Sequence, residues 1–324
     1  MKPDDWGLKP EDRSQKTEAR RLTTFLVDCF FMPELPEVET IARGLDKRVT
    51  GDVIDSVWLG SKPEPLKSPA AEIGATLEHS RITGVRRMGK HIVIDLERLR
   101  SRSNRKPKRR ATPKTSRGKK PQARVLAQWI VHLGMTGSML VCSPGAPVDK
   151  HTHAIAQLAS GRELRFVDPR RFGRLSVSRN GGFEAGGVEP LDVDLETFVR
   201  LFRGRKTPIK SALLNQKLLR GVGNIYADEA LFRAGIRPRR RAATLTREQL
   251  GSLYVSVQEV LKEAIALGGS SISDYVDADG EEGFFQLQHR VYGREAEPCL
   301  VCKAPVKRIV IAGRSSHYCA NCQK

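Results

Sequence analysis

Two clusters in the chain have residue types and spacings that carry chemistry. The first is Met32-Pro33-Glu34-Leu35-Pro36-Glu37. A methionine followed by a small residue such as proline is normally trimmed after synthesis. If translation began at Met32, the mature chain would open on the secondary amine of Pro33. A neutral amine attacks electrophilic carbon, and free α-amino groups titrate near ~7.7–8.0, so a useful fraction is uncharged at neutral pH. Inside a chain the same nitrogen is a tertiary amide, with neither proton nor nucleophilicity. The second cluster is Cys299-x2-Cys302 and Cys319-x2-Cys322, separated by sixteen residues. That spacing matches a structural zinc site, and four thiolates close the tetrahedron, which leaves no open position for catalysis.

The elements around these clusters must hold them in place. From Pro36 the pattern is helical, with Val38, Ile41, Ala42 and Leu45 on one face. Pro36 suits the first turn, and Glu37 and Glu39 favour the positive helix end. Pro33 and Glu34 therefore lead into a buried helix. Val53–Leu59, Arg81–Arg87 and Ile92–Leu96 read as strands, with Lys90 just before the last. A strand pattern resumes over Val125–Leu133. Leu195–Arg203, Pro208–Leu219, Ala227–Ala234 and Arg247–Leu267 read as helices. The fold class is α+β.

Composition limits what else the chain can be. Its 324 residues suit about two domains, and 39% apolar residues suffice for buried cores. No apolar run is long enough for a membrane span. The net charge of +19 points to a polyanion, most simply nucleic acid, with an anionic membrane surface as the rival. Thirteen of the basic residues fall in Arg98–Arg124, which contains no Asp or Glu, so the remainder carries only +6. That tract reads as a disordered hairpin insertion with nonspecific phosphate attraction. Residues 1–31, with six acidic and six basic residues, lack a signal-peptide pattern and read as a disordered tail or a mis-called start. The cysteine usage fits a reducing compartment.

Two turns could meet a polyanion. Phe166-Val167-Asp168-Pro169-Arg170-Arg171-Phe172-Gly173 sets guanidiniums beside an aromatic ring, either a surface turn or a nucleic-acid loop. Gly221-Val222-Gly223-Asn224-Ile225-Tyr226 exposes backbone N–H groups at a helix start, either a tight turn or a phosphate site; it lacks the Gly-Lys-Ser/Thr of a nucleotide P-loop. Met135 stands at the apolar tip of His132–Gly137. His151 and His153 are spaced for one face of a strand, without the neighbours a metal pair needs. Gly268–Gly283 reads as a long flexible loop. Between the cysteine pairs, strand, glycine turn and strand put Arg314 at a hairpin tip.

These pieces, in this order from about Met32 to Lys324, resemble the formamidopyrimidine-DNA glycosylases, bacterial enzymes that excise oxidised purines. The resemblance implies an N-terminal β-sandwich with flanking helices over residues 32–190, interrupted at 98–124. It implies a helix–two-turn–helix domain over 191–285 and a zinc-ribbon β-hairpin over 286–324. It implies catalysis by Pro33, Glu34, Lys90 and Arg314: nucleophile, acid for sugar-ring opening, β-elimination and δ-elimination. DNA contacts would fall to His151, Arg170, Arg205, Lys206, Lys210, Asn224 and Tyr226. Met135, Arg170 and Phe172 would fill the gap left by a flipped nucleotide, and the loop from Gly269 to Gly283 would close over its base. Cys299, Cys302, Cys319 and Cys322 would hold one structural Zn2+, with no organic cofactor. The expected partner is duplex DNA with oxidised purines or abasic sites, bound by a monomer in the bacterial cytoplasm, at the nucleoid. The rivals are an endonuclease-VIII-like enzyme for oxidised pyrimidines, against which Leu35 and the Asp168–Gly173 loop speak, and a noncatalytic DNA-binding protein that retains its tail.

Overall fold

A computed structural model describes residues 32–99, 126–270 and 283–324. The N-terminal tail, most of the basic insertion and most of the Gly269–Gly283 loop lie outside the described residues.

Helix α1 (Leu35–Val49) starts where Glu37 turns back on the chain, its carboxylate accepting the backbone N–H of Glu34 at 2.8 Å. Val38, Ile41, Ala42 and Leu45 are buried, as their spacing requires. The helix packs on strands β1 (Val53–Leu59), β2 (Ser80–Met88), β3 (His91–Arg98), β4 (Leu126–His132), β5 (Ser138–Cys142), β6 (Thr152–Leu158), β7 (Glu163–Val167) and β8 (Arg174–Ser178), with a second short helix, α2 (Ala70–Leu77). All strand neighbours are antiparallel in the order β5-β7-β6-β1-β2-β3-β4-β8.

The expected β-sandwich is one sheet folded on itself. β1 pairs with β2 only at Val53–Arg81 and Ile54–Ser80, then continues along β6. The two halves close on one core, in which Ile54, Leu158 and Phe166 meet Ile82, Ile94 and Trp129. β3 and β4 pair from His91–His132 to Glu97–Leu126, so residues 100–125 join neighbouring antiparallel strands.

The helical part consists of α3 (Leu195–Phe202), α4 (Ile209–Leu213), α5 (Asn224–Arg233) and α6 (Arg247–Ala266) around a separate core. α4 is shorter than the expected Pro208–Leu219. Asn215 stops it, its side chain accepting Lys217 N–H at 3.0 Å and its carbonyl accepting those of Leu218 and Leu219. Gln216 then bridges to the Val222 carbonyl and the Gly221 N–H, each at 2.8 Å, which shapes the turn into α5. Strands β9 (Lys307–Ile311) and β10 (Arg314–Tyr318) form the terminal hairpin. Among the described residues no helix is long and apolar enough to cross a membrane.

Candidate active site

The start of α1 is built into the junction between sheet and helices. Pro33 is buried, and Leu35 N–H donates to the Gly221 carbonyl at 3.0 Å. Glu34 is 4% exposed and accepts the Ile225 N–H at 3.2 Å through Oε1. Its other oxygen is buried without a partner among the described residues. Burial raises the Glu34 carboxyl to about 7; Lys90 pulls it down and Glu37 pushes it further up. The shift favours the protonated carboxyl, the state a proton donor needs. Behind it, Glu37 is completely buried and accepts from the Tyr226 hydroxyl and, at 2.9 Å, from Ser270 N–H. Burial raises its carboxyl as well.

Lys90 reaches the same place from the β2–β3 hairpin. Met88 pairs with His91, so Gly89 and Lys90 form a two-residue turn, and Gly89 adopts φ +60°. A side chain at Gly89 would also press on Arg220, 3.2 Å away. Burial lowers the Lys90 ammonium, opposed by Glu34 and Glu37 and assisted by Arg314. Met32 and Glu34, on either side of Pro33, line a cavity of about 260 Å³ with Lys90, His132, Asn224 and Arg314. Residues far apart in sequence thus surround Pro33 with one acid and several cations.

A second cavity, of about 560 Å³, adjoins the first through Met32, His91 and His132, and Met135 and Phe172 line it. Their two loops touch backbone to backbone: a side chain on Gly134 would lie 2.5 Å from Gly173 N. Buried Asp168 holds this arrangement, accepting from Thr136 Oγ1 at 2.6 Å and Gly173 N–H at 2.7 Å. Phe172 is left 48% exposed, with the Arg170 guanidinium 5.7 Å from its ring centroid. An exposed aromatic ring on a braced loop suits insertion into a base stack.

Known proteins match this architecture along its length. Residues 32–175 match the model of the formamidopyrimidine-DNA glycosylase N-terminal domain, 187–276 that of its H2TH domain, and 296–324 a zinc finger found in FPG and IleRS. The chain belongs to the formamidopyrimidine-DNA glycosylase family. A member from Solibacter usitatus is 41% identical over 301 residues, covering 90% of this chain and all of the relative. One from Desulforamulus reducens is 40% identical, covering 90% of this chain and 99% of the relative. The crystal structure of MutM (Fpg) from Thermus thermophilus superposes with a TM-score of 0.73 at 39% identity, covering 90% of this chain and 98% of that one. A Lactococcus lactis FPG variant in complex with Fapy-dG-containing DNA superposes at 0.76 and 30% identity, covering 90% and 100%.

This glycosylase chain carries the zinc finger of its family. The four cysteine sulfurs lie within 4.8 Å of one another, with Cys299–Cys322 at 3.8 Å and Cys302–Cys319 at 3.4 Å. Zn–S bonds of about 2.3 Å in a tetrahedron put sulfurs about 3.8 Å apart. The donor set fits one structural zinc.

Not every expected DNA contact reaches a surface. His151 is partly buried near the Asp168 loop, and Arg205 and Lys206 are exposed between α3 and α4, outside both cavities. Two expectations are corrected. Lys210 is fully buried, ion-paired to Asp228 at 2.6 Å and donating to the Ser315 carbonyl at 2.6 Å. Tyr226 is 1% exposed and spends its hydroxyl on Glu37. Both polar groups are turned to partners inside the protein and are buried from the surface that a phosphate would approach. Sequence reading missed His132, Arg220 and Glu37. His132 lines both cavities; burial lowers its imidazole to about 4, and its Nδ1 accepts Gly134 N–H at 3.1 Å, so the neutral ring carries its proton on Nε2. The Pro36-Glu37 helix start was the available signal for Glu37; nothing local distinguished His132 or Arg220.

Proposed function

We propose that this member of the family is a base-excision DNA repair enzyme, a bifunctional glycosylase and abasic-site lyase for oxidised purines such as 8-oxoguanine and formamidopyrimidines. Pro33 is the nucleophile. Its amine lone pair forms a bond to C1′ of the damaged nucleotide, the C1′–base bond breaks, and the base leaves with a proton. Glu34 protonates the ring oxygen as the sugar opens, which gives a C1′ iminium. The cationic nitrogen acidifies the C2′ hydrogen; its loss expels the 3′ phosphate, a step assigned to Lys90. Arg314 serves the following δ-elimination, in which the 5′ phosphate leaves.

The observation that carries this reading is the convergence of Glu34, Lys90, Asn224 and Arg314 on the cavity beside Pro33. Met135, Arg170 and Phe172 support extrusion of the damaged nucleotide, since side chains that fill the gap offset part of the few kcal/mol that flipping costs. His151, Arg170, Arg205, Lys206 and Asn224 hold the DNA backbone. The catalytic unit spans 32–190, the helical DNA-binding unit 191–285 and the finger 286–324. The enzyme acts as a monomer on duplex DNA in the bacterial cytoplasm.

The chemistry requires a free Pro33 amine, so the active molecule begins at Pro33. The family match beginning at residue 32 supports this. The test is base release and strand scission by a chain beginning at Pro33, on duplexes carrying 8-oxoguanine or thymine glycol. Release of 8-oxoguanine with phosphate on both new ends is expected. Preference for thymine glycol, or no release at all, contradicts the reading.

A further inference from the structure

The Lys210–Asp228 pair, expected to face DNA on the lysine side, faces the finger instead. Asp228 lies on α5 and is 1% exposed. Its Oδ1 pairs with Lys210 Nζ at 2.6 Å, and its Oδ2 accepts the His317 backbone N–H at 2.8 Å. Lys210 then donates to the Ser315 carbonyl at 2.6 Å, and Asn224 Nδ2 reaches Ser315 Oγ at 3.2 Å. Three side chains from two helices of the helical domain thus hold Ser315 and His317, one and three residues beyond Arg314 on its own strand.

The hairpin transmits this hold to Arg314. Ala312 and Gly313 both have positive φ, +48° and +76°, and form a two-residue turn between Ile311 and Arg314. A turn this tight has little freedom of its own. The cysteine cluster fixes the hairpin at its far end, on Cys319 and Cys322, while Ser315 and His317 are the anchored points next to the tip. The Arg314 guanidinium itself is exposed and lines the cavity beside Pro33.

We propose that Asp228 is a positioning residue for Arg314: with Lys210 it locks β10 against α5 and so sets the guanidinium over the cavity in which the second strand cut occurs. This rests on the assignment of Arg314 to δ-elimination. Removal of the lock leaves Pro33, Glu34 and Lys90 where they are and moves only the group needed last. The enzyme then releases the base and cuts the 3′ side, and accumulates the β-elimination product.

The test measures the ratio of δ to β product on an abasic-site duplex, beside the single-turnover rate of base release, for Asp228→Ala and Arg314→Ala. Arg314→Ala is expected to abolish the δ product. Asp228→Ala is expected to lower the ratio on the order of tenfold, the scale of a modest misplacement of a catalytic group, with base release unchanged. A merely structural role would depress both steps together. Should Asp228→Ala fail to fold, the double variant Lys210→Met/Asp228→Leu replaces the buried pair with apolar side chains of similar size, and the same loss is expected. An unchanged ratio in a folded variant, with Arg314→Ala lacking the δ product, overturns the lock. A δ product that survives Arg314→Ala overturns the assignment of Arg314 itself.

Discussion

The carboxylate of Glu34 occupies the space that a side chain on Gly223 would fill. A Cβ at Gly223 would stand 2.1 Å from Glu34 Cδ. Gly223 has φ −129°, extended backbone open to any residue, so the glycine is needed for room and not for conformation. This contact joins the end of the sheet domain to the first turn of α5.

Gly223→Ala therefore displaces the Glu34 carboxylate, which supplies the three nearest atoms. The single-turnover rate of base release is expected to fall on the order of 10²-fold, with a stability loss of about 1–3 kcal/mol from the added methyl, too small to unfold the enzyme. Full activity in the alanine variant would mean that Glu34 does not work from its position beside Ile225.

Glu34 also makes stability depend on pH. Its ordinary value is 4.5 and its folded value about 7. Between these the folded chain keeps a proton that the unfolded chain has released. The protonated state gives full stability below about pH 4.5, and stability is lost as pH rises through about 7, by about 3 kcal/mol at 1.36 kcal/mol per unit. Urea unfolding at pH 5 and pH 8 should show this fall, and Glu34→Gln should make it shallower, leaving the part due to buried Glu37 and Glu229, while removing base release. Parallel pH dependence in the two proteins would refute the burial argument.

Lys90→Ala is expected to impair strand scission on the order of 10²-fold, the scale of a lost acid–base group, with DNA affinity reduced far less. Binding titrations and product gels on the same oligonucleotide separate the two. Equal loss of affinity and scission would make Lys90 a phosphate contact.

The domain junction rests on a buried ionic chain. Arg87, 6% exposed, bonds Glu39 at 2.7 Å and grips Glu189 at 2.7 and 3.0 Å, while Arg220 reaches Glu189 at 3.0 Å. Glu189→Gln leaves Arg87 with Glu39 as its one carboxylate partner of the two and takes from Arg220 its ion pair, and a loss of about 3 kcal/mol is expected from urea unfolding. A loss below about 1 kcal/mol, the worth of a surface pair, would show the junction to be held by apolar contact instead.

Zinc removal should release the finger. A unit this small draws its folding energy from the metal, and its buried apolar residues Val291, Cys299, Val306 and Cys319 cluster only with Phe232 of α5. Chelation is expected to abolish the δ product and weaken DNA binding. Retention of both in the metal-free protein would detach the finger from the reaction.

What could be read without coordinates were features encoded within a few residues. The cysteine spacing, the Pro33-Glu34 motif and the apolar face of α1 are local patterns, and each reappears in the fold. Strands β1 to β4 were legible in the same way, whereas β5 to β8 were not read from the sequence. Contacts that depend on distant segments were not. Nothing near Lys210 shows that Asp228 lies beside it, nor anything near Tyr226 that Glu37 takes its hydroxyl. Both are DNA contacts only by what the family resemblance implies, and their burial depends on partners distant in sequence. α4 was drawn too long for a related reason: its apolar residues continue past Leu213, but Asn215 and Gln216 divert the backbone into the turn that shapes the site.

The central claim is that residue 33 becomes residue one. The direct measurement is borohydride trapping of the native-host protein on an 8-oxoguanine duplex, followed by mass analysis of the cross-linked peptide. The account predicts an adduct on the nitrogen of an N-terminal Pro33. An adduct on a lysine, or no adduct from a chain that retains Met1–Met32, would contradict it.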